Sequence, residues 1–170
     1  SAIATLMSSA PDLVLIAGHN GDVEPAIIEI GNGNHTPQAI LATNALTKLE
    51  NYGNQVKFSN CVMMPTQWEQ SDEKVADTVS WNTSAFKAAM DEKVSGLNAS
   101  DVTYQMAAAA ASMVAVAEAM EDAAYDPDKV AASMKNMDMD SFYGRLKWGT
   151  NGTIEKPMYT QQKKGEVIEI

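Results

Sequence analysis

From Leu13 to Ala17 every position is apolar, and the run passes directly into Gly18-His19-Asn20-Gly21-Asp22. An uninterrupted apolar stretch of this length predicts a strand covered on both faces, as in a parallel sheet. A short helix is predicted next over residues 23–30, with Asp22 as N-cap, Pro25 in the first turn and Gly31 as its stop. Gln38-Ala39-Ile40-Leu41-Ala42 reads as a second strand with Thr43 and Asn44 at its carboxyl end. Strand, helix and strand in about 30 residues make a βαβ unit with a right-handed crossover. A weaker helix is predicted at 45–52, and a third strand at 60–64 that stops at Pro65.

The pattern then changes. Residues 72–126 carry almost only helix signal, with one helix at 84–94 and a long one from 101 to about 124 behind Ser100 as N-cap. Met106, Met113 and Met120 recur every seven residues, which places them on one stripe of that helix. The stripe is read as core packing rather than as an adaptable ligand surface. Ala107 to Ala111 would let another element approach closely, and a third helix at 128–137 starts at Asp126 or Pro127. The chain ends in sheet. A Gly-interrupted strand over 142–148 meets a turn at Gly149-Thr150-Asn151-Gly152, with positive φ expected at Asn151-Gly152. Strands around Met158 to Gln161 and Val167 to Ile170 follow, reversed near Lys164-Gly165. The fold class expected is α/β: a parallel βαβ portion and a helical portion, closed by carboxyl-terminal antiparallel strands.

Composition narrows what this fold can do. With 170 residues, 45% of them hydrophobic, the chain is long enough for one well-buried domain or two small lobes. A net charge of −10 opposes binding to a polyanion, so nucleic acid is excluded as a partner. No apolar run approaches the roughly 20 residues that span a bilayer. Ser1-Ala2-Ile3-Ala4-Thr5 lacks the basic head and apolar block of a signal peptide. Cys61, the single cysteine, has no internal disulfide partner and reads as a small buried residue.

Candidate chemistry is sparse. His19 and His35 are not spaced with Cys, Asp or Glu as metal ligands, so no metal and no cofactor is expected. Gly31-Asn32-Gly33-Asn34 follows a helix instead of joining a strand to one, which argues against a phosphate-binding loop. Asp138 and Asp140 read as a solvated turn before a strand and not as a catalytic pair. An enzyme is not indicated. What remains lies at the carboxyl ends of the first two strands, where ligands bind in open α/β sheets. Gly18, His19, Asn20, Thr43 and Asn44 would face one crevice with hydrogen-bonding groups of no fixed charge. Two readings stay open: recognition of a small polar ligand, or a turn shaped by His19 and Asn20 and a helix capped by Thr43 and Asn44.

The order of elements is similar to a known family. Pro11-Asp12-Leu13-Val14-Leu15-Ile16-Ala17-Gly18, Pro37-Gln38-Ala39-Ile40-Leu41 and Cys61-Val62-Met63-Met64-Pro65-Thr66-Gln67-Trp68 resemble the second half of a type I periplasmic solute-binding protein. The branch most resembled is the leucine/isoleucine/valine-binding family of ABC transporters. The likeness continues through Ala117-Glu118-Ala119-Met120 and Asp128-Lys129-Val130. It extends to Gly144-Arg145-Leu146-Lys147-Trp148, Asn151-Gly152, Tyr159-Thr160-Gln161 and Lys164-Gly165. It covers nearly all of the chain.

The resemblance implies a partial type I fold, with residues 1–66 and 157–170 in the carboxyl-terminal ligand-binding lobe. Residues 67–156 would be the helical part of the amino-terminal lobe, the rest of that lobe being absent with the first half of the protein. It implies crossings between lobes near Pro65 to Trp68 and Pro157 to Tyr159, and it adds Trp68 to the ligand-binding residues. It further implies an exported, periplasmic protein whose signal peptide is not in this chain, a small polar solute as ligand and an ABC permease as partner.

This sequence departs from the family's amino-acid binders in two places. Thr43 and Asn44 stand where an acidic residue pairs with the ligand's ammonium, and His19 or Asn20 stands where an aromatic residue is common. A neutral site meets a cation poorly, because a charge-assisted hydrogen bond is about twice as strong as a neutral one. An amide, polyol or carboxylate therefore fits at least as well as leucine.

Three function classes follow. The first is a solute-binding component of an ABC importer working by hinge closure between lobes. The second is the ligand-sensing domain of a membrane receptor, and the third a small α/β enzyme with His19 as its candidate residue. A fragment with one jaw of a cleft should bind weakly and self-associate through uncovered apolar stripes.

Overall fold

The computed structural model describes residues 1–43, 62–68, 81–164 and 167–169. It divides into two compact units, Ser1–Thr66 with Met158–Ile170, and Gln67–Pro157.

In the first unit, helix α1 (Ala2–Met7) precedes strand β1 (Leu13–Ile16), helix α2 (Asn20–Asn32) and strands β2 (Ala39–Ala42) and β3 (Val62–Thr66). Strands β6 (Tyr159–Lys164) and β7 (Val167–Glu169) complete the sheet in the order β1-β2-β3-β6-β7. The first three strands are parallel, and β6 and β7 are antiparallel to their neighbours. The βαβ unit and the antiparallel closure expected from the sequence are both present.

Alternation along the strands assigns the faces. Val14, Ile40 and Val62 are adjacent across the parallel register and all buried, together with Ala42 and Met64. Helix α2 is buried along Val23, Ala26, Ile27 and Ile30, the i, i+3, i+4, i+7 spacing of one helical face. On the opposite face of the sheet Leu13 is 59% exposed, Leu15 69% and Leu41 40%. The expectation that β1 is covered on both faces is therefore corrected. Its apolar run is one buried row interleaved with one open row.

Two boundaries differ from expectation in this unit. Helix α2 starts at Asn20, not at Val23, because the His19 carbonyl accepts from the amides of both Asp22 (2.9 Å) and Val23 (3.0 Å) and closes the first turn there. Gly31 consequently lies inside the helix, and Pro25 lies in its interior. Strand β3 runs through Pro65 to Thr66. Its pairing with β2 covers only Val62 and Met63, so Pro65 has β6 alone beside it, opposite Thr160. A residue without an N–H is tolerated in such an edge position. Helix α1 was not foreseen: Ser1 caps it by accepting from the Ala4 amide, and the Ser1 hydroxyl donates to the Glu29 carboxylate on α2. The predicted helix at 45–52 lies outside the described residues, as do Cys61 and Gly165.

The second unit holds helices α3 (Thr83–Lys93), α4 (Tyr104–Asp122) and α5 (Pro127–Asn136), and a hairpin of β4 (Asp138–Met139) with β5 (Leu146–Lys147). Asn82 caps α3 by accepting from the Ala85 amide at 2.7 Å, and Asp126 caps α5. The long helix begins at Tyr104 behind Thr103, which accepts from the Met106 amide, not behind Ser100. Ser100 belongs instead to a short 3-10 turn, Ala99–Asp101. The end of α4 is closed by a Schellman arrangement: Tyr125 N–H donates to the Met120 carbonyl and Ala124 N–H to that of Glu121. Ala124 adopts φ +48°, a conformation usually left to glycine.

The core of this unit corrects the methionine reading for two of its three residues, since only Met106 packs against the core. Met113 is 71% exposed and Met120 also lies at the surface, whereas Ala107, Ala111, Ala115 and Ala119 are all buried. Small residues four apart make a flat strip against which large rings pack: Trp68, Phe86 and Phe142 lie in the same cluster as Ala107, Ala111 and Ala115. The Phe86 and Phe142 rings stack at 4.2 Å, and Trp68 meets Phe86 edge-on at 6.0 Å. The strand expected over 142–148 is also shortened, since Ser141 and Gly144 exchange backbone hydrogen bonds and turn the chain before β5. After β5, Trp148 pairs with Ile154 across the predicted reversal. Only Gly152 of the Asn151-Gly152 pair has positive φ, at +78°. Asn151 works through its side chain, whose Oδ1 accepts from the amide and hydroxyl of Thr153.

Candidate functional site

In open α/β sheets ligands bind beyond the carboxyl ends of the parallel strands, where the chain turns into the next helix. At the ends of β1 and β2 that turn is fastened by one hydroxyl. Thr43 Oγ1 accepts from the Gly18 amide at 3.0 Å and donates to the Gly18 carbonyl at 2.7 Å. The Thr43 amide also donates to the Ile16 carbonyl at 3.1 Å, which extends the ladder one residue past the strands. The hydroxyl thus spends its proton and one lone pair on holding the two strand ends together.

Gly18 lies against the first turn of α2, where a Cβ would make ordinary van der Waals contact. A Cβ would lie 3.4 Å from the Asp22 Cβ and the Val23 Cγ2. The same geometry puts the Asp22 carboxylate beside the crevice loop, with an oxygen 3.8 Å from that Cβ position. Asp22 is exposed. The sequence had assigned this residue to capping, and the earlier start of α2 moves it to the third helical position. His19, at the N-cap, is exposed and caps with its carbonyl, not its ring. Asn20 opens the helix.

Gly18, His19, Asn20 and Thr43 therefore come together at one end of the sheet. Asn44 lies outside the described residues. Trp68 belongs to the second unit, where it is 1% exposed and its indole N–H donates to the Phe142 carbonyl at 2.9 Å. The other histidine is structural: a carbonyl can only accept, so His35 donates from Nε2 to Pro11 at 2.9 Å and ties the loop after α2 to the segment before β1. Asp138 is held by Arg145 through two hydrogen bonds of 2.6 and 2.7 Å and by Lys147 at 2.9 Å. These bonds, with the two positive charges, keep its carboxyl well below the usual carboxylate range. Among the described residues, no group of three or more His, Cys, Asp or Glu is placed to hold a metal ion. None of the described helices is long and apolar enough to cross a membrane.

An α/β sheet with hydrogen-bonding loops at the carboxyl ends of its parallel strands belongs to the ligand-binding class of open α/β folds. Residues 1–166 match the periplasmic binding protein family, and the chain belongs to that family. Its fold resembles the crystal structure of the leucine-binding protein LivK from Thermotoga maritima, with a TM-score of 0.67 at 19% identity. The similarity covers 99% of this chain and 46% of that one, so this chain spans about half the length of that relative. Among curated proteins none matches the sequence.

Proposed function

We propose that this chain is part of the solute-binding component of an ABC importer, exported to the periplasm, which takes a small polar solute by closure of two lobes around it. The observation that carries the reading is the family match over residues 1–166. The crevice at Gly18, His19, Asn20 and Thr43 supplies the place, and the leucine-binding character of the structural relative supplies the class of solute, a branched-chain amino acid or an amide of similar size. Asp22 offers the charge that Thr43 and Asn44 lack, within reach of a ligand ammonium lying over Gly18. These groups suit holding and orienting a ligand, and the family match supports a binding role over a catalytic one.

The unit Ser1–Thr66 with Met158–Ile170 acts as the ligand-binding lobe, and Gln67–Pro157 as part of the opposing lobe. Closure follows from differential affinity: a ligand that touches both lobes stabilises the closed arrangement, which the permease reads. A site with one jaw complete binds more weakly. Halving a micromolar binding free energy of about −8 kcal/mol leaves millimolar affinity. The open row of Leu13, Leu15 and Leu41 supports self-association of this chain through the face they form.

A thermal-shift panel tests the reading. With a Kd near ~1 mM, ~10 mM solute stabilises the native state by about 1.4 kcal/mol, a rise of roughly 3–5 °C for a chain of this size. Leucine, isoleucine, valine and their amides are expected to raise the midpoint and sulfate at matched ionic strength is not. A panel in which no small polar solute shifts the midpoint contradicts the reading.

A further inference from the structure

The chain passes between its two units twice, after Thr66 and before Met158. On the first unit's side the two passages are already joined, because Thr66 pairs with Tyr159 in the β3/β6 ladder. On the second unit's side both passages lead to one short turn, Ser141 to Gly144. The residues just past the first passage attach to it by two side chains: Gln67 Oε1 accepts from the Tyr143 hydroxyl at 3.0 Å, and the Trp68 indole donates to the Phe142 carbonyl. Just before the second passage, the Lys156 ammonium lies 3.3 Å from the centre of the Tyr143 ring and donates to the Tyr143 carbonyl.

The turn is closed by hydrogen bonds of its own. Ser141 and Gly144 exchange backbone hydrogen bonds, and the buried Ser141 hydroxyl donates to the Gly144 carbonyl at 2.6 Å and accepts from the Tyr143 amide at 3.2 Å. Gly144 has φ +104°, and a Cβ there would come within 3.1 Å of Lys156 Nζ. A side chain at 144 would both strain the backbone and push the lysine off the ring.

We infer that Tyr143 is a positioning residue that clamps both interlobe connections to the core of the second unit, so that bending is confined to Thr66–Gln67 and Pro157–Met158. This rests on the reading of the two units as lobes that close on a solute. Its chemistry is divided between two ends of one side chain. The hydroxyl holds the first connection as a neutral hydrogen bond, and the ring face with the carbonyl holds the second as a cation–π and charge-assisted contact.

Segment-resolved hydrogen exchange without ligand tests the clamp and is independent of whether a solute binds. Tyr143→Phe keeps the ring and removes the hydroxyl, and is expected to speed exchange in peptides spanning Gln67 and Trp68 about threefold to tenfold while those spanning Lys156 to Tyr159 stay at the wild-type rate. Lys156→Met is expected to do the reverse, and Lys156→Arg to restore wild-type exchange. Faster exchange spread evenly over the second unit, or no change in either connection, would overturn the inference, since the first is the signature of general destabilisation and the second of contacts without effect.

Discussion

The helix α4 offers the sharpest test of which residues hold the second unit together, because its two apolar stripes make opposite predictions. If the methionines were core, Met113→Ala would empty a buried site and cost about 2–5 kcal/mol. Met113 is 71% exposed, so little of its side chain leaves water on folding. Burying a whole methionine is worth about 1.5–3 kcal/mol, the covered part is under a third of that, and alanine's higher helix propensity offsets some of the loss. The expected cost is below about 0.5 kcal/mol. Ala115 is fully buried in the cluster that also holds Trp68, Phe86 and Phe142. Ala115→Leu inserts three carbons where rings already pack and is expected to cost about 1–3 kcal/mol.

All three tryptophans, Trp68, Trp81 and Trp148, lie in this unit, so their fluorescence in urea reports its unfolding directly. With a slope of about 2 kcal/mol/M, Ala115→Leu should lower the midpoint by about 0.5–1.5 M and Met113→Ala by less than about 0.3 M. A large loss for Met113→Ala with a silent Ala115→Leu would refute the assignment of the core.

Other expectations follow from single contacts. Ala124→Gly relieves a left-handed residue at the end of α4 and should stabilise by about 0.5–1 kcal/mol, measured by the same urea midpoint; a loss would contradict the strain at φ +48°. Asp138 has a folded-state pKa depressed below its ordinary 3.8, so its contribution is present above about pH 4 and is lost as pH falls through the folded value. Asp138→Asn should therefore lose stability near neutral pH and show a shallower acid dependence between about pH 5 and pH 2; parallel curves for the two proteins would count against the ion-pair cause. Burial and the neighbouring Tyr104 push the Tyr143 phenol up to about 12, which favours the folded state below about pH 10 and is lost as pH rises toward 12. Absorbance titration should show a tyrosine that ionises near pH 12, and Tyr143→Phe should remove that late step. Leu15→Glu places a charge in the open row of β1 and should shift sedimentation toward the monomer if that face associates; an unchanged distribution would place the contact elsewhere.

Strands and caps were legible in the sequence wherever local chemistry decides them. Asp126 and the Gly149 to Gly152 reversal lie where residue type predicts them, and the apolar runs of β1 to β3 are strands. The failures over which residues are buried have one physical origin. Period alone does not say which row of a helix or strand is covered, because coverage is a tertiary property. Alanine carries little hydrophobic weight, so the buried strip of α4 was hidden behind heavier methionines, and in β1 the leucines outweighed Val14 although Val14 is the buried residue. At the crevice, Thr43 was found but its role as a fastener was not, since reciprocal bonding to Gly18 needs the two strand ends side by side. Asp22 was hidden by an error of three residues in the start of α2.

The central claim, that a polar solute lodges where β1 and β2 end, is tested most directly by following backbone amide shifts of the labelled protein while leucine or its amide is added to tens of millimolar. Saturable shifts with roughly millimolar affinity, centred on Gly18, His19, Asn20 and Thr43 and weakened by Thr43→Val, are the predicted result. Saturation with no movement of those four amides would contradict it.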